Sequence, residues 1–395
     1  MARQPPTGTR VVRRINTATV LDAVRRGTAE PIRLTELVEL TGLTRPTVAQ
    51  AVDELVESGW LRQHAAVASS HLGGRPAIRV SLNGRAAPVF GLDVGPHTVT
   101  AGVADLAGEQ LAVVRRSVRQ RGATHLLAVI GEVITETLAA ADVRVGDVAM
   151  AAVGTPGVVD GENGRILFAP SIPGWSDINL VDHLRGIFGC PVRVENDANL
   201  AAVAVAHEHA GRGTLLAVQW GERLGAGVVI DGRLHRGAGE AGEIGFIRPP
   251  GQPPRDGHDR GPLERAIGAE AITDLARQAA ARHPGSGLDG VSDAAAVFTA
   301  AVAGDPVALT VVEQVATTFA EAIAPAVLVL SPDAIVISGG VARAGDILLD
   351  AIRRHLEKLT LTPPTVELSG LVEHTVLTGA LRMALDRVWQ HRLAT

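Results

Sequence analysis

The chain has 395 residues, 46% hydrophobic and 20% charged, with a net charge of −5 and 3% aromatics. That excludes a disordered chain and a uniformly basic nucleic-acid coat, and it leaves room for two or three domains. A single cysteine, Cys190, supplies neither an internal disulfide nor a thiolate metal cluster, and no apolar run reaches the ~20 residues of a membrane span; a cytoplasmic protein with no membrane partner is expected.

The charge is unevenly spread. Residues 1–85 hold 12 Arg against 7 Asp and Glu, whereas residues 86–395 hold 25 basic against 35 acidic side chains. A basic front on an acidic body is the distribution expected when the front meets phosphates. Within that front, Val20, Leu21 and Val24 mark one helix that stops at Gly27. Leu34, Leu37, Val38 and Leu40 mark a second, ending at Thr41-Gly42, and Thr44 with Pro46 opens a third. In the third helix Val48, Val52, Leu55 and Val56 form the buried stripe, leaving Arg45, Thr47 and Gln50 facing outward at its start. Arg pairs bidentately with guanine, Gln with adenine, and Thr offers a hydroxyl or a methyl, so these are the expected base-reading residues.

Strands over 60–62 and 77–82, joined by a polar stretch ending in Gly73-Gly74-Arg75-Pro76, complete a winged helix-turn-helix. Arg75 on that narrow cationic wing suits an A·T-rich minor groove; an ordinary turn with a solvent-facing Arg is the alternative.

From Val89 the pattern becomes α/β. A strand at 89–93 ends in Asp93, two more follow at 99–104 and 111–114, then a helix over 125–141 and a buried strand over 148–153 that runs into Gly154-Thr155-Pro156-Gly157. The theme repeats with strands over 215–218 and 226–230, a helical run over 320–329, and a strand over 334–337 ending in Ser338-Gly339-Gly340. Two similar lobes with a cleft at their strand ends are expected. The expected domains are residues 1–85 for DNA binding, 86–195 for the first lobe, to which a C-terminal helix over 381–395 returns, and 196–380 for the second.

Taken together, Val194-Glu195-Asn196-Asp197-Ala198-Asn199, Gly154-Thr155-Pro156-Gly157, Pro173-Gly174-Trp175, Ala241-Gly242-Glu243-Ile244-Gly245 and Ile337-Ser338-Gly339-Gly340 resemble the ROK family of sugar kinases and sugar-responsive repressors. With the winged helix-turn-helix ahead of them, the chain is similar to the repressor branch, the N-acetylglucosamine and xylose repressor type. The resemblance implies an actin-like, hexokinase-type (ribonuclease H-like) two-lobed body. It implies Asn196, Asp197, Glu243 and Glu264 as sugar ligands, with Asp197 at the catalytic-base position of the kinases. An N-cap role for Asp197, ahead of a helix over 198–206, competes with that assignment.

The departures from the family pattern are informative. Phe246 stands where the family has a histidine that touches zinc and sugar; it either covers the apolar face of a sugar ring or marks the loss of one hydroxyl contact. Pro254, Asp256 and Pro262 stand at the family's thiolate positions, so no zinc site is expected; Asp256, His258 and Asp259 offer only a weak hard-ligand alternative. The first phosphate loop reads Asp93-Val94-Gly95-Pro96-His97-Thr98, with a proline that lacks an N–H in place of a glycine. The second reads Gly221-Glu222-Arg223-Leu224-Gly225-Ala226-Gly227, with a carboxylate and an arginine where phosphate binding calls for Thr and Gly. The expected function is therefore a sequence-specific transcriptional repressor bound to double-stranded operator DNA as a homodimer or homotetramer, controlled by a sugar or sugar phosphate, with no cofactor and no phosphoryl transfer. A bifunctional sugar kinase with a DNA-binding arm and a DNA-binding protein with a decayed sugar site are the alternatives.

Overall fold

The computed structural model describes residues 8–27, 30–64, 78–119, 122–221, 223–251, 260–371 and 374–394. Its N-terminal module contains α1 (Gly8–Arg26), β1 (Ile32–Arg33), α2 (Leu34–Thr41), α3 (Arg45–Glu57), β2 (Leu61–His64) and β3 (Arg79–Leu82). Val20, Leu21 and Val24 of α1 pack with Leu37 of α2 and with Val48, Ala51, Val52 and Leu55 of α3, all buried. Gly42, at φ 68°, ends α2 in the left-handed conformation that glycine adopts without strain. Thr44 occupies the N-cap position of α3, but its hydroxyl lies 2.8 Å from that of Thr47 instead of capping a backbone N–H. Leu40, expected in the buried stripe of α2, is 64% exposed: in so short a helix it falls outside the arc through Leu34, Leu37 and Val38. The strands β2 and β3 pair antiparallel, and β1, a two-residue strand that periodicity does not reveal, adds to the other edge of β3. The stretch 65–77, with Gly73-Gly74-Arg75-Pro76, lies outside the described residues.

The body holds two five-stranded sheets of like connectivity. The first is built from β4 (Val89–Val94), β5 (Thr98–Ala104), β6 (Gln110–Ser117), β7 (Met150–Thr155) and β10 (Val192–Asn196), in the order β10-β7-β4-β5-β6. The strands β4, β5 and β6 form an antiparallel meander, and β7 and β10 extend it in parallel on the far side of β4. A helix, α4 (Ala123–Ala140), connects the meander to β7; a small ladder of β8 (Val158–Val159) with β9 (Ile166–Phe168), followed by α5 (Leu180–Phe188), connects β7 to β10.

Next in the chain, α6 (Asp197–Glu208) leads to the second sheet, where β11 (Thr214–Trp220), β12 (Leu224–Ile230) and β13 (Arg233–His235) repeat the meander. After α7 (Pro262–Ile267), α8 (Ala269–Arg282), α9 (Ala294–Val302) and α10 (Pro306–Leu330), β14 (Ala334–Ser338) joins β11 in parallel. Following α11 (Asp346–Leu359), β15 (Thr365–Leu368) joins β14, giving the order β13-β12-β11-β14-β15. By length and composition α4 and α10 are each apolar enough to span a membrane, but Leu126, Ile130 and Ile134 of α4 and Val315, Phe319 and Ile323 of α10 are buried in the lobe cores.

The last helix, α12 (Thr375–Leu393), begins six residues ahead of the expected 381. It packs on β4, β7 and α6, with Leu377 and Leu381 over Gly91 of β4. A Cβ at Gly379 would overlap the Leu200 carbonyl of α6, so the two helices meet backbone to backbone at a distance only glycine allows. At its C-terminal end Trp389 meets Trp60 of the N-terminal module, ring centroids 5.9 Å apart, while Arg25 lies over Trp389 and Arg392 over Trp60.

Candidate ligand cleft and DNA face

Parallel strands deliver their C-terminal ends to one side of a sheet, and β7 and β10 do so in register, Thr155 beside Asn196. Asn196 is the N-cap of α6: its side-chain oxygen accepts from the Asn199 N–H at 3.0 Å, and its amide donates to the Gly157 carbonyl at 2.9 Å. The cap is thus Asn196 and not Asp197, which is the first helical residue and accepts from its neighbour Ala198 N–H at 2.8 Å. Relieved of the capping role, Asp197 lines the cleft between the lobes together with Asn196, Glu243, Glu264 and Phe246. The structure therefore gathers all five sequence-designated ligand residues at one place. Phe168, Pro156 and Pro170 give that cleft an apolar side.

Burial pushes the Asp197 carboxyl up to about 6, against the Ala198 N–H and the Arg223 charge. Glu243 is pushed to about 7 by burial and by the neighbouring carboxylates Asp197, Glu240 and Glu264. Asp93, at the end of β4, is raised to about 7 by burial and by Asp197, with Arg115 opposing. Glu264, in the first turn of α7, is also raised by burial, with Arg223 the main opposing charge. Several carboxyls thus share one pocket, and each disfavours the ionisation of the next.

Arg223 is the residue whose role the sequence does not show. Its guanidinium donates to Glu264 Oε1 at 3.1 Å, and the Leu224 N–H lies 3.4 Å from Oε2. Arg260 approaches the same carboxylate at 3.5 Å. The second of the two glycine-bearing loops therefore sends its arginine into the cleft, where it holds the Glu264 carboxylate. In that loop the Gly221 N–H is bonded to the Arg223 carbonyl at 2.9 Å, and in the first the Gly95 N–H is bonded to the Thr98 carbonyl at 2.8 Å. Glu222 lies outside the described residues.

Sequence reading also leaves Glu195 and Arg236 unassigned. Glu195 is 1% exposed, accepts from Asn199 Nδ2 at 3.0 Å, and is gripped by Arg236 at 2.6 and 2.7 Å. Glu195 sits one residue before Asn196 on the first sheet, and Arg236 leads from β13 into the turn that carries Glu243, so this pair ties the two banks of the cleft together. Being next to Asn196 in a recognised motif is the only signal for Glu195; for Arg236 there is none. Trp175 in Pro173-Gly174-Trp175 is a packing residue whose indole N–H donates to the Thr155 hydroxyl at 2.7 Å.

On the N-terminal module Arg45 and Gln50 are exposed and Thr47 is half-buried at the start of α3. Arg75, Asp256, His258 and Asp259 lie outside the described residues. The described residues do not fit the zinc of the family pattern, because Phe246 supplies no donor and Pro262 is the first residue of α7.

The ROK family model matches residues 89–387, and the IclR helix-turn-helix domain model matches residues 15–65. Over 286 residues the chain is 35% identical to a glucokinase of Halalkalibacterium halodurans, covering 69% of this chain and 86% of that one. It is 26% identical over 381 residues to a putative xylose repressor of a Caldicellulosiruptor species, covering 89% and 91% of the two chains. Among solved structures, a ROK family transcriptional regulator described as a homolog of the E. coli MLC protein superposes with a TM-score of 0.77 at 24% identity, covering 97% of this chain and 99% of that one.

Proposed function

Since the chain belongs to the ROK family and carries an IclR-type helix-turn-helix ahead of the ROK body, we propose that it is a DNA-binding transcriptional repressor gated by a sugar or sugar phosphate that it binds and does not phosphorylate. The observation that carries the reading is Arg223: a residue of the loop that would cradle phosphate is instead committed to Glu264 inside the cleft. Phosphoryl transfer depends on backbone N–H groups and charge arranged around the phosphates, whereas among the described residues of this loop the Gly221 N–H is bonded to the Arg223 carbonyl and the Arg223 guanidinium to Glu264. The cleft keeps what sugar binding needs. Asn196, Asp197, Glu243 and Glu264 offer acceptors to adjacent hydroxyls, and Phe246 covers the apolar ring face.

Arg45, Thr47 and Gln50 read base edges, and Arg75 enters the minor groove. The protein works in the cytoplasm as a homodimer or homotetramer, whose geometry sets half-site spacing, with residues 1–85, 86–195 and 196–380 as its domains. Sugar shifts the equilibrium by binding one lobe arrangement more tightly; a 100-fold preference is about 2.7 kcal/mol of coupling.

A second reading, a sugar kinase with a DNA-binding arm, is favoured by Asp197, which sits at the base position with a carboxyl raised to about 6, and by the similarity to glucokinases. Thermal shift with a panel of free sugars, sugar phosphates and magnesium-ATP separates the two, because a ligand at 100 times its Kd stabilises by about 2.7 kcal/mol. A shift with one sugar, none with ATP, and no ADP release in a coupled assay is the expected result. Sugar-dependent ADP release that Asp197→Asn abolishes would overturn the proposal in favour of the kinase.

A further inference from the structure

A groove runs between the N-terminal half of α1 and the last turn of α12, lined by Arg10, Arg13, Arg14 and Arg392. Among the described residues that line it, Glu54 of α3 is the one carboxylate. It is already engaged, by Arg13 at 3.0 Å and by the Thr17 hydroxyl at 3.2 Å. Arg10, Arg13 and Arg14 are exposed, and the first turn of α1 carries no acid. So dense a run of guanidiniums against a single carboxylate is unfavourable unless anions relieve it.

The position of the groove identifies the anion. Glu54 lies one turn beyond Gln50 on α3, about 6 Å further along the helix axis, so the groove adjoins the face that would read base edges. A helix seated in a major groove about 12 Å wide has a phosphate backbone along each flank. We propose that Arg10, Arg13, Arg14 and Arg392 grip the DNA phosphate backbone beside the recognition helix, and that Arg392 makes the C-terminal helix of the ROK body a direct participant in DNA binding. Its guanidinium lies 4.8 Å over the Trp60 ring, so it reaches the groove only while α12 stays docked on the N-terminal module. This inference rests on the DNA-binding reading and extends it to residues outside the recognition helix.

The test is the salt dependence of binding to a fluorescent 30-base-pair duplex of random sequence between 50 and 200 mM NaCl, where each neutralised phosphate contributes about 0.9 to the slope of log K against log salt. Arg10→Ala/Arg14→Ala, at two exposed positions, is expected to flatten the slope by about 1.8. Arg392→Ala should flatten it by about 0.9, and Arg392→Lys should restore most of the loss. Wild-type binding with a slope that the Arg10→Ala/Arg14→Ala variant leaves unchanged would overturn the groove while leaving DNA binding intact. No binding by the wild type even at 50 mM salt would overturn both.

Discussion

Two carboxyls that line the cleft and one beside it titrate far from their ordinary range near 4: Glu243 at about 7, Asp197 at about 6 and Asp93 at about 7. Unfolded, each releases its proton near pH 4, so between pH 4 and 7 the folded chain binds more protons than the unfolded one. The stability that comes from these groups is therefore complete below pH 4 and is lost as pH rises through 6 to 7. The melting temperature of the ligand-free protein is expected to fall between pH 5 and 7.5. Glu243→Gln, which cannot ionise, should make that fall shallower; an identical pH profile in the variant would show that Glu243 is not raised. How much of this site was legible depends on distance along the chain. Asn196, Asp197, Glu243 and Glu264 sit in recognisable local motifs, whereas the Arg223 to Glu264 pair and the Arg236 to Glu195 pair each join residues 41 apart. The choice of Asn196 over Asp197 as cap was equally hidden, because both residue types cap well and only backbone geometry decides between them.

At the level of elements, α6 carries the most consequence, because it starts at the cleft and packs on α12 and on β11 and β12 of the second sheet. Two substitutions probe how it is held. Gly379→Ala drives a Cβ into the Leu200 carbonyl, and such overpacking between helices should cost about 1–3 kcal/mol, read from urea unfolding. Arg236→Gln strips buried Glu195 of its closest cation, and removing one partner of a buried pair should cost about 3–5 kcal/mol. The double variant Glu195→Gln/Arg236→Gln should lose less than the two single changes together, since the buried carboxylate and its nearest cation leave together; strict additivity would show the pair is not a clasp. Elements with a strong apolar period or run were legible, among them α3, β4, β7, β11 and β14. The strands β1 and β13, two and three residues long, are too short to show a period. The alanine-rich helix α9 offers little contrast between its faces. Repeated motifs at strand ends conveyed the like connectivity of the two sheets, but not the start of α12.

Across the whole molecule, the N-terminal module is fused to the body through shared apolar packing. Val20, Leu37 and Leu55 belong to the same buried cluster as Leu377, Leu381 and Trp389, with the Trp60 to Trp389 contact at the seam. No sequence motif marks that seam, since tryptophans 60 and 389 meet only once the chain has folded. Trp389 is 5% exposed, and truncating so large a buried ring typically costs about 3–5 kcal/mol. Trp389→Ala is expected to split a single calorimetric transition into two, the module melting ahead of the body; one unsplit transition would locate the coupling elsewhere. The placement of α12 also fixes an order of events during synthesis. The first-lobe strands β4 and β7 leave the ribosome long before α12, the helix that covers them, and domains form from the N-terminus as translation proceeds at about 5–20 residues per second. Until Leu393 has emerged, the first lobe stands open on one face and the DNA-reading module has nothing to dock on. A nascent chain therefore exposes an apolar sheet until α12 follows it out, and chaperone demand, as much as final stability, is set by a helix that arrives long after the strands it covers.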